Sequence, residues 1–370
     1  MGPQSDDGER MGRPRRPGTA RRPGRRRVLR GVVLGLAAVV LLAGAGLTAL
    51  YVKLDGNLSR VDIDAALGPD RPRDTPGGSK DILVLGSDSR SGENGGFGGP
   101  DAQAGARSDT AMIVHVNEAG DAATVVSIPR DTLVTRPACE RGDGSTEPAA
   151  GRSVFNEAYT VGGPSCAVKT VEAMTGLRMD HYLEVDFDGF ARLIDTLGGV
   201  EITTTRAIDD DDSHLHLPAG THTLDGEQAL ALVRTRKAVG DGSDLGRIEL
   251  QQSFLRALAE QVGGVGLTSS PKRLYDMADA ATSAVTTDAS IGSVRELAGL
   301  ARALDGIGPD DMQLVTLPVG PDPADPNRVT PLDRQAEQVW RALRRDEPVP
   351  ASAEEGTASE EGGGPPVAGG

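Results

Sequence analysis

The chain has 370 residues, of which 25% are charged, and a formal net charge of −15 at pH 7. Residues 1–30 carry ten arginines against three acidic side chains, so this arm has a net charge of +7 and the rest of the chain −22. The arm contains no aromatic residue and runs directly into an apolar segment, which argues against a nucleic-acid partner and indicates a cytoplasmic arm that sets membrane topology.

The first predicted element is a transmembrane helix at residues 31–52. This segment has no charged side chain, and a helix of its length spans roughly 33 Å, close to the hydrocarbon thickness of a bilayer. Because the arginines precede it, the positive-inside rule places the chain from Lys53 on outside the cell. A cleaved signal peptide is the alternative, since Ala43-Gly44-Ala45 has the small residues of a cleavage site.

The chain beyond residue 52 is predicted to contain a linker, one folded domain and a tail. Residues 53–79 end in a Pro- and Gly-rich stretch, which is typical of an extracellular linker. Over residues 80–345, apolar segments of strand length alternate with amphipathic helical segments, which predicts a three-layer α-β-α domain of the α/β class with a mixed central sheet. Residues 346–370 lack periodicity and are predicted to form a disordered tail.

The predicted elements of the folded domain follow from these apolar patterns. The strands are predicted, in chain order, at residues 81–85, 111–116, 124–128, 181–186, 200–203 and 312–317. The helices are predicted at residues 188–197, 246–262, 290–304 and 332–343. Asp188 is the predicted N-cap of the first of these helices, which ends at the glycine pair Gly198-Gly199.

Cys139 and Cys166 are the only two cysteines of the sequence. An even pair in an exported domain, without the spacing of a metal site, predicts a disulfide. Two free buried thiols are the alternative.

Arginine and aspartate recur together at the ends of the predicted strands and at the start of one helix. The recurring residues are Asp88 and Arg90, Arg107 and Asp109, Arg130 and Asp131, Arg234 and Arg236, and Asp244, Arg247 and Gln251. Ligands of open α/β sheets bind in the crevice at strand ends, so these side chains can converge on one site. Several arginines there require a multiply charged anion, because each planar guanidinium stays protonated and pairs with phosphate oxygens.

Two carboxylates accompany these arginines. Asp88 and Asp109 would repel a phosphate anion unless a divalent cation lay between, and carboxylates together with phosphate oxygens are the usual ligands of Mg²⁺. A plain salt bridge is the alternative for any single Arg–Asp pair. The repetition favours a pyrophosphate site, where arginines and a metal ion stabilise the charge of a transferring phosphoryl group.

The same strings, in order over residues 80–261, resemble the motifs of the LytR-CpsA-Psr (LCP) family. The matching strings are LGSDSR, RSDT, VSIPRDT, FNEAY followed by GGP, DHYLEVDF, LIDTLGGV, LDGEQAL, VRTRK and DGSDLGRI. Each string alone is weakly specific, whereas their order behind one membrane helix is highly specific.

The resemblance implies an enzyme, a Mg²⁺-dependent phosphotransferase with Mn²⁺ as the alternative ion. Such an enzyme moves a glycosyl-1-phosphate polymer from a polyprenyl-pyrophosphate carrier in the membrane bilayer to a peptidoglycan hydroxyl and releases polyprenyl phosphate. A polyprenyl-pyrophosphate hydrolase is one alternative. A non-enzymatic protein that binds prenyl phosphates or regulates other proteins is the second.

The resemblance also implies roles for individual residues. Asp88 and Asp109 resemble metal ligands, and Arg107 and Asp244 resemble catalytic residues, with Asp244 orienting the arginines or acting as a base. The residues that resemble the family's pyrophosphate-binding set are Arg90, Arg130, Arg234, Arg236, Arg247 and Gln251.

Two positions depart from the family pattern. Val154 stands where the family often has lysine, and Arg152 is a candidate replacement for that charge. Leu250 stands where the family often has arginine. The family's prenyl pocket would be lined by apolar residues, but five candidates are interpreted as ordinary core: Leu183, Phe187, Phe190, Phe254 and Leu258.

Overall fold

The computed structural model describes residues 25–75, 77–87, 108–235, 244–264, 270–357 and 367–368; of residues 25–35, 37, 108, 109, 244, 264 and 368 it describes the backbone alone. The helices are α1 (Arg25–Asn57), α2 (Asp64–Leu67), α3 (Phe155–Thr175), α4 (Phe187–Leu197), α5 (Gly226–Arg234), α6 (Asp244–Gly264), α7 (Pro271–Ala284), α8 (Val294–Leu304) and α9 (Asp333–Arg344). The strands are β1 (Ser59–Val61), β2 (Lys80–Ser87), β3 (Ser108–Val116), β4 (Ala123–Ile128), β5 (Leu133–Arg136), β6 (Cys139–Glu140), β7 (Thr146–Glu147), β8 (Ala150–Val154), β9 (His181–Asp186), β10 (Val200–Thr204), β11 (Ile208–Asp210), β12 (Leu215–Leu217), β13 (Gly220–Leu224), β14 (Val285–Asp288), β15 (Met312–Thr316), β16 (Val319–Asp322), β17 (Asp325–Pro331) and β18 (Val367–Ala368).

The described residues form two compact units, one up to Tyr51 and one from Val52 on. A seven-stranded sheet lies at the centre of the second unit, with the spatial order β1-β14-β9-β2-β3-β4-β15. Neighbouring strands run parallel in the pairs β1–β14, β2–β9 and β4–β15 and antiparallel in the other pairs. The predicted mixed central sheet is therefore confirmed.

Helices cover both faces of this sheet. On one face, Val126 of β4 packs in the main core together with residues of α3 and α9. Side chains alternate along a strand, so the next residue, Ser127, lies on the opposite face. There α6 lies against the sheet, and the Nε2 atom of Gln252 donates hydrogen bonds to Ser127 Oγ and Thr316 Oγ1, both at 3.3 Å. The α/β class predicted from the sequence is confirmed.

A second core lies among α4, α5, α6 and the β10–β13 pair. Phe190, Phe254 and Leu258 pack in it, as interpreted from the sequence, and the two phenylalanine rings have centroids 5.7 Å apart. Leu250 is fully buried in the same core. This position therefore contributes packing where LCP proteins often carry a charge.

The start of α4 differs from the prediction by two residues. Asp186 rather than Asp188 is the N-cap: its Oδ1 accepts a hydrogen bond from the backbone N–H of Gly189 at 2.7 Å. Asp186 is also the last residue of β9, and its extended backbone is the conformation that an N-cap requires. The helix therefore begins directly at the end of the strand, with Phe187 as its first residue.

α1 contains the predicted membrane segment. Within the described part of the chain, Ala38–Asn57 is the one helical stretch long and apolar enough to cross a membrane. It overlaps the predicted span of residues 31–52, and most of its large apolar side chains are exposed, Leu41 among them. Exposed apolar side chains over several turns are expected where lipid surrounds a helix, so the segment is consistent with a single-pass membrane protein.

Residues 53–79, predicted to be an extracellular linker, belong largely to the folded unit. β1 pairs in parallel with β14, and Ile63 and Leu67 are buried in the main core. Nη2 of Arg71 lies 2.7 Å from Oε1 of Glu172 on α3, and both side chains are buried. The Pro and Gly residues that follow Leu67 give the segment the composition of a linker. The few apolar and charged side chains that hold it to the folded unit do not change this average composition.

The tail of residues 346–370 also departs from the predicted disorder. Val349 and Ala353 are buried in the main core, and Val367 is buried in the second core. Strand β18 pairs with β10 in antiparallel orientation. The described residues of the tail are therefore attached to the folded unit at a few buried positions, because a few small apolar side chains can anchor a segment whose average composition is that of a disordered chain.

Cys139 and Cys166 form the predicted disulfide, which joins β6 to α3 across 27 residues of sequence. Replacing both cysteines with serine is expected to lower the free energy of unfolding by roughly 3–4 kcal/mol, because a cross-link across a loop of this length restricts the unfolded chain. Urea denaturation of the full chain in detergent micelles measures this loss. A loss below about 1 kcal/mol would contradict the prediction.

Asp288, at the end of β14, is a buried carboxylate that accepts several hydrogen bonds. Its Oδ2 accepts from the backbone N–H of Tyr182 at 2.9 Å and its Oδ1 from that of Ser290 at 2.7 Å. Burial acts to raise the pKa of Asp288, but His181 and these hydrogen bonds outweigh burial and hold the pKa at about 2, below its ordinary value of 3.8. A carboxylate whose pKa is lowered by folding stabilises the protein above its unfolded pKa, and this stabilisation is lost as the pH falls through the folded pKa.

Asp288→Asn is therefore expected to lower the free energy of unfolding at pH 7 by about 2 kcal/mol. The difference from the wild-type chain should fall to about half near pH 3, because the Asp288 carboxyl of the unfolded wild-type chain is protonated at this pH whereas that of the folded chain is still ionised. Urea denaturation of both proteins from pH 7 down to pH 3 measures this trend. A difference that stays constant with pH would show that the charge of Asp288 is not the cause.

Candidate active site

The strand ends that carry the predicted site residues lie at one edge of the central sheet. Ser87 at the end of β2 pairs with Ser108 at the start of β3 and with Asp186 at the end of β9. Ala111 near the start of β3 pairs with Ile128, the last residue of β4. The ends of β2, β4 and β9 and the start of β3 therefore lie side by side. We refer to this edge as the site edge.

Arg130 follows β4 at the site edge. The backbone N–H of Asn156, at the start of α3, donates to the carbonyl oxygen of Arg130 at 3.2 Å. The neighbouring N–H of Phe155 donates to the carbonyl oxygen of Thr132 at 2.8 Å, so the first turn of α3 fixes the backbone on both sides of Asp131. Nε of Arg130 lies 3.5 Å from Oδ2 of Asp131, and the Arg130 side chain is 21% exposed. The guanidinium is thus partly shielded from water, which strengthens its interaction with an anion.

Arg234 reaches the site edge from α5, of which it is the last residue. Its Cζ lies 5.2 Å from the centroid of the Phe187 ring, and Phe187 directly follows β9. This cation–π contact places the guanidinium beside the end of β9. The other end of α5 is fixed by a capping box between Asp225 and Gln228. The LDGEQAL string therefore sets where the helix starts, and the helix length sets where Arg234 lies.

α6 brings Gln251 to the same edge. Gln251 Nε2 donates to Thr110 Oγ1 of β3 at 3.0 Å and to the carbonyl oxygen of Val233 in α5 at 2.8 Å. Gln251 thus joins α6 to the start of β3 and the end of α5. Arg247 lies one turn earlier and is 3% exposed, which is rare for an arginine and requires compensating acceptors. The predicted contacts of both residues with pyrophosphate stay predictions.

The remaining predicted site residues are described in part or lie outside the described residues. Those outside are Asp88, Arg90, Arg107 and Arg236. For Asp109 and Asp244 the backbone is described: Asp109 lies in β3 next to Thr110, and Asp244 is the first residue of α6. Asp109 thus directly precedes the β3 residue that Gln251 contacts, and Asp244 begins the helix that carries Gln251.

Asp88 and Asp109 are the candidate ligands of a divalent cation. Asp109 follows Ser108, and the strand partner of Ser108 is Ser87, which precedes Asp88 in the sequence. Asp88 lies outside the described residues and only the backbone of Asp109 is described, so a metal site at these positions stays a prediction. Carboxylate oxygens are ligands that Mg²⁺ and Mn²⁺ prefer, so the two residue types fit either ion.

Comparison with known proteins identifies the family. The model of the LytR_cpsA_psr family matches residues 50–345, well over half of the chain. The chain belongs to the LytR-CpsA-Psr family. It is 36% identical over 281 residues to the probable cell wall biosynthesis protein LcpB of Corynebacterium glutamicum, and the match covers 74% of this chain and 62% of LcpB. The chain thus spans about three fifths of the length of that LCP protein.

A second relative and a solved structure agree with this assignment. The chain is 34% identical over 242 residues to the polyisoprenyl-teichoic acid–peptidoglycan teichoic acid transferase TagT of Bacillus subtilis, and the match covers 62% of this chain and 69% of TagT. A solved structure of TagT bound to LI-WTA is similar in fold, with a TM-score of 0.54 and 26% identity. The superposition covers 76% of this chain and 95% of that TagT chain.

Arg152, the candidate replacement for the lysine that LCP proteins often carry at position 154, is paired with a carboxylate of the protein. Its Nη2 lies 2.9 Å from Oδ1 of Asp322, at the end of β16. The hydrogen bond from Arg152 lowers the pKa of Asp322, and backbone N–H groups that follow it in the hairpin also contribute. The charge of Arg152 is therefore compensated within the protein.

Sequence reasoning missed Arg328 of β17. Its Nη1 forms an ion pair with Oδ1 of Asp131, the neighbour of Arg130. β17 reaches this turn through a parallel bridge between Thr132 and Val329. No local signal marks Arg328, because its partner lies 197 residues earlier in the chain.

Proposed function

We propose that this LCP protein is a phosphotransferase that moves a glycosyl-1-phosphate polymer from a polyprenyl-pyrophosphate carrier to a peptidoglycan hydroxyl. The proposal is supported by the positions of Arg130 and Arg234 at one sheet edge, and by Arg247 one helical turn before Gln251, which joins α6 to that edge. The domain follows a helix long and apolar enough to cross a membrane. Three guanidinium groups would match the several negative charges of a diphosphate. The names of the relatives, a cell wall biosynthesis protein and a teichoic acid transferase, support the same activity.

The proposed reaction exchanges a phosphoanhydride bond for a phosphate ester bond. The oxygen of the acceptor hydroxyl attacks the phosphorus that carries the sugar, and the bond from this phosphorus to the bridging oxygen of the diphosphate breaks. Polyprenyl phosphate leaves with the electron pair, and the hydroxyl proton passes to a base, for which Asp244 is the candidate. The product is a phosphodiester between the glycopolymer and peptidoglycan.

The arginines are suited to stabilise the transition state of this transfer. Negative charge shifts onto the bridging oxygen as the bond to phosphorus breaks, and fixed cations that face this oxygen lower the barrier. Arg247 is nearly wholly buried, where a charge interacts more strongly than in water. Arg234 is held by the ring of Phe187, so less reorganisation is needed when the diphosphate binds.

Asp88 and Asp109 are the residues that would hold Mg²⁺ or Mn²⁺ beside the diphosphate. A divalent cation bound there would neutralise part of the charge that the two phosphates carry. Without such a cation, the two carboxylates would repel the phosphates of the substrate. Arg107 and Arg236, which flank Asp109 and Arg234 in the sequence, are proposed to complete the cationic set.

The proposed location is the outer face of the cell membrane. The arginine-rich arm of residues 1–30 precedes the apolar segment and favours a cytoplasmic N-terminus. The folded unit then lies outside the cell, anchored next to the bilayer. This is the compartment in which a lipid-linked donor and a peptidoglycan acceptor meet.

A product assay with the full chain in lipid vesicles tests the proposal. The donor is a synthetic polyprenyl-pyrophosphate-linked disaccharide, the acceptor a peptidoglycan oligomer, and Mg²⁺ is present. Mass spectrometry should find peptidoglycan with a disaccharide phosphodiester and an equal amount of polyprenyl phosphate. Free disaccharide phosphate without modified peptidoglycan would show a hydrolase instead. Tight donor binding without any turnover would show a non-enzymatic binding protein.

A further inference from the structure

We infer that Arg328 is a positioning residue that neutralises Asp131 and thereby keeps Arg130 available to the diphosphate. The inference rests on the proposed function. It starts from the ion pairs around Asp131: Oδ2 faces Nε of Arg130 at 3.5 Å, and Oδ1 faces Nη1 of Arg328. One carboxylate therefore lies between two guanidinium groups, of which one carries the proposed substrate contact.

The β16–β17 hairpin holds Arg328 in place through backbone contacts. The N–H of Val329 donates to the carbonyl oxygen of Asp131 at 3.4 Å, and Val329 forms a parallel bridge with Thr132. β16 and β17 pair with each other over most of their length. The position of Arg328 beside Asp131 thus follows from the main chain and does not depend on the ion pair alone.

The three side chains are partly shielded from solvent. Those of Arg130, Asp131 and Arg328 are 21%, 28% and 34% exposed. Their charges therefore interact more strongly than those of a fully exposed pair. Among the described residues, one other carboxylate lies near the Arg328 guanidinium. It belongs to Asp325, whose Oδ2 lies 3.8 Å from Nε of Arg328 and whose side chain is more exposed than that of Asp131.

The electrostatic consequence concerns Arg130. A carboxylate next to an anion-binding arginine competes with the anion for the guanidinium and also repels the anion. Arg328 supplies a second cation to the same carboxylate, so Asp131 is compensated without using the whole charge of Arg130. Removing the charge of Arg328 would lower the net charge at this turn by one unit, and removing that of Asp131 as well would restore it.

A purely structural role predicts a different result. If the Arg328–Asp131 pair only fastened the hairpin, removing both charges would leave the hairpin as loose as removing one. If it balances charge for Arg130, the second substitution should rescue the first. A pair of variants, Arg328→Gln and the double variant Asp131→Asn with Arg328→Gln, therefore separates the two roles.

The test measures KM for the polyprenyl-pyrophosphate donor, kcat and the thermal midpoint of the full chain in vesicles. Arg328→Gln should raise KM roughly tenfold with kcat little changed. The double variant should return KM to within about twofold of the wild-type value, and Arg328→Lys should fall between wild type and Arg328→Gln. Arg141→Gln is the matched control, since Arg141 is also ion-paired to a carboxylate of a short hairpin, Glu147, and should leave KM unchanged.

A double variant impaired as much as Arg328→Gln, or an unchanged KM in Arg328→Gln, would overturn the inference. The Kd of polyprenyl pyrophosphate for the chain in the same vesicles is measured as well. This measurement distinguishes a failure of the inference about Arg328 from a failure of the proposed function. If the wild-type chain binds the diphosphate but transfers nothing, the proposed transfer fails while Kd still reports on Arg328. If it binds no diphosphate, both fail.

Discussion

Replacing Arg130 with alanine is expected to lower the rate of glycopolymer transfer by about 10²–10³-fold, because the transition state loses charged donors to the diphosphate. The fold should be retained. The carbonyl oxygen of Arg130, which alanine also has, accepts the hydrogen bond from Asn156. The initial rate of phosphodiester formation by the full chain in vesicles measures the effect, and a thermal melt of the same sample checks the fold.

Two further variants make this result interpretable. Arg302→Ala removes an exposed arginine of α8 and should leave the rate unchanged. Arg130→Lys keeps the charge but loses the planar fork that pairs with two oxygens, so its rate should lie between those of Arg130→Ala and wild type. Transfer at the wild-type rate by Arg130→Ala would remove Arg130 from the site.

Arg71→Ala is expected to lower the free energy of unfolding by about 3–5 kcal/mol, because it leaves a buried carboxylate without its partner. Nη2 of Arg71 lies 2.7 Å both from Oε1 of Glu172 and from the carbonyl oxygen of Met179. Nη1 lies 2.7 Å from Oδ1 of Asp64. Arg71 thus fastens the segment before β2 to α2 and α3, and urea denaturation of the full chain in micelles measures its loss.

The matched control is Arg73→Ala, an exposed arginine two residues further on, which should change the free energy of unfolding by less than about 0.5 kcal/mol. Adding Glu172→Gln to Arg71→Ala should recover part of the loss, because it removes the stranded charge. Equal stability of Arg71→Ala and Arg73→Ala would show that residues 53–79 behave as the linker that their composition suggests.

Five of the seven central strands and the disulfide could be predicted because their signals are local and strong, whereas β1 and β14 were not predicted. The apolar runs of β2 and β4 predict buried strands, and both strands are largely or wholly buried. With two cysteines in the chain, each has one possible partner for a disulfide within the chain. The folded parts of residues 53–79 and 346–370 could not be predicted this way. There, single residues such as Ile63, Leu67 and Val367 anchor segments whose average composition is that of a linker or a disordered chain.

The candidate site, too, could be predicted from the sequence only in part. Motif order and the strand-end rule predicted that Arg130 and Arg234 would share one site, and their binding of a common anion stays a prediction. Strand register places the end of β4 at the site edge, and the contact with Phe187 places Arg234 beside the end of β9. Their supports could not be predicted. The ring of Phe187 under Arg234 and the pairing of Arg328 with Asp131 join residues that are far apart in sequence and carry no mark of their partners.

The central claim is that the guanidinium groups of Arg130, Arg234 and Arg247 bind one diphosphate at the site edge. A crystal structure of the full chain with polyprenyl pyrophosphate and Mn²⁺ tests this most directly. We expect diphosphate oxygens at about 3 Å from guanidinium nitrogens of Arg130, Arg234 and Arg247, with Mn²⁺ at Asp88 and Asp109. A diphosphate bound elsewhere, with these arginines facing separate surfaces, would contradict the claim.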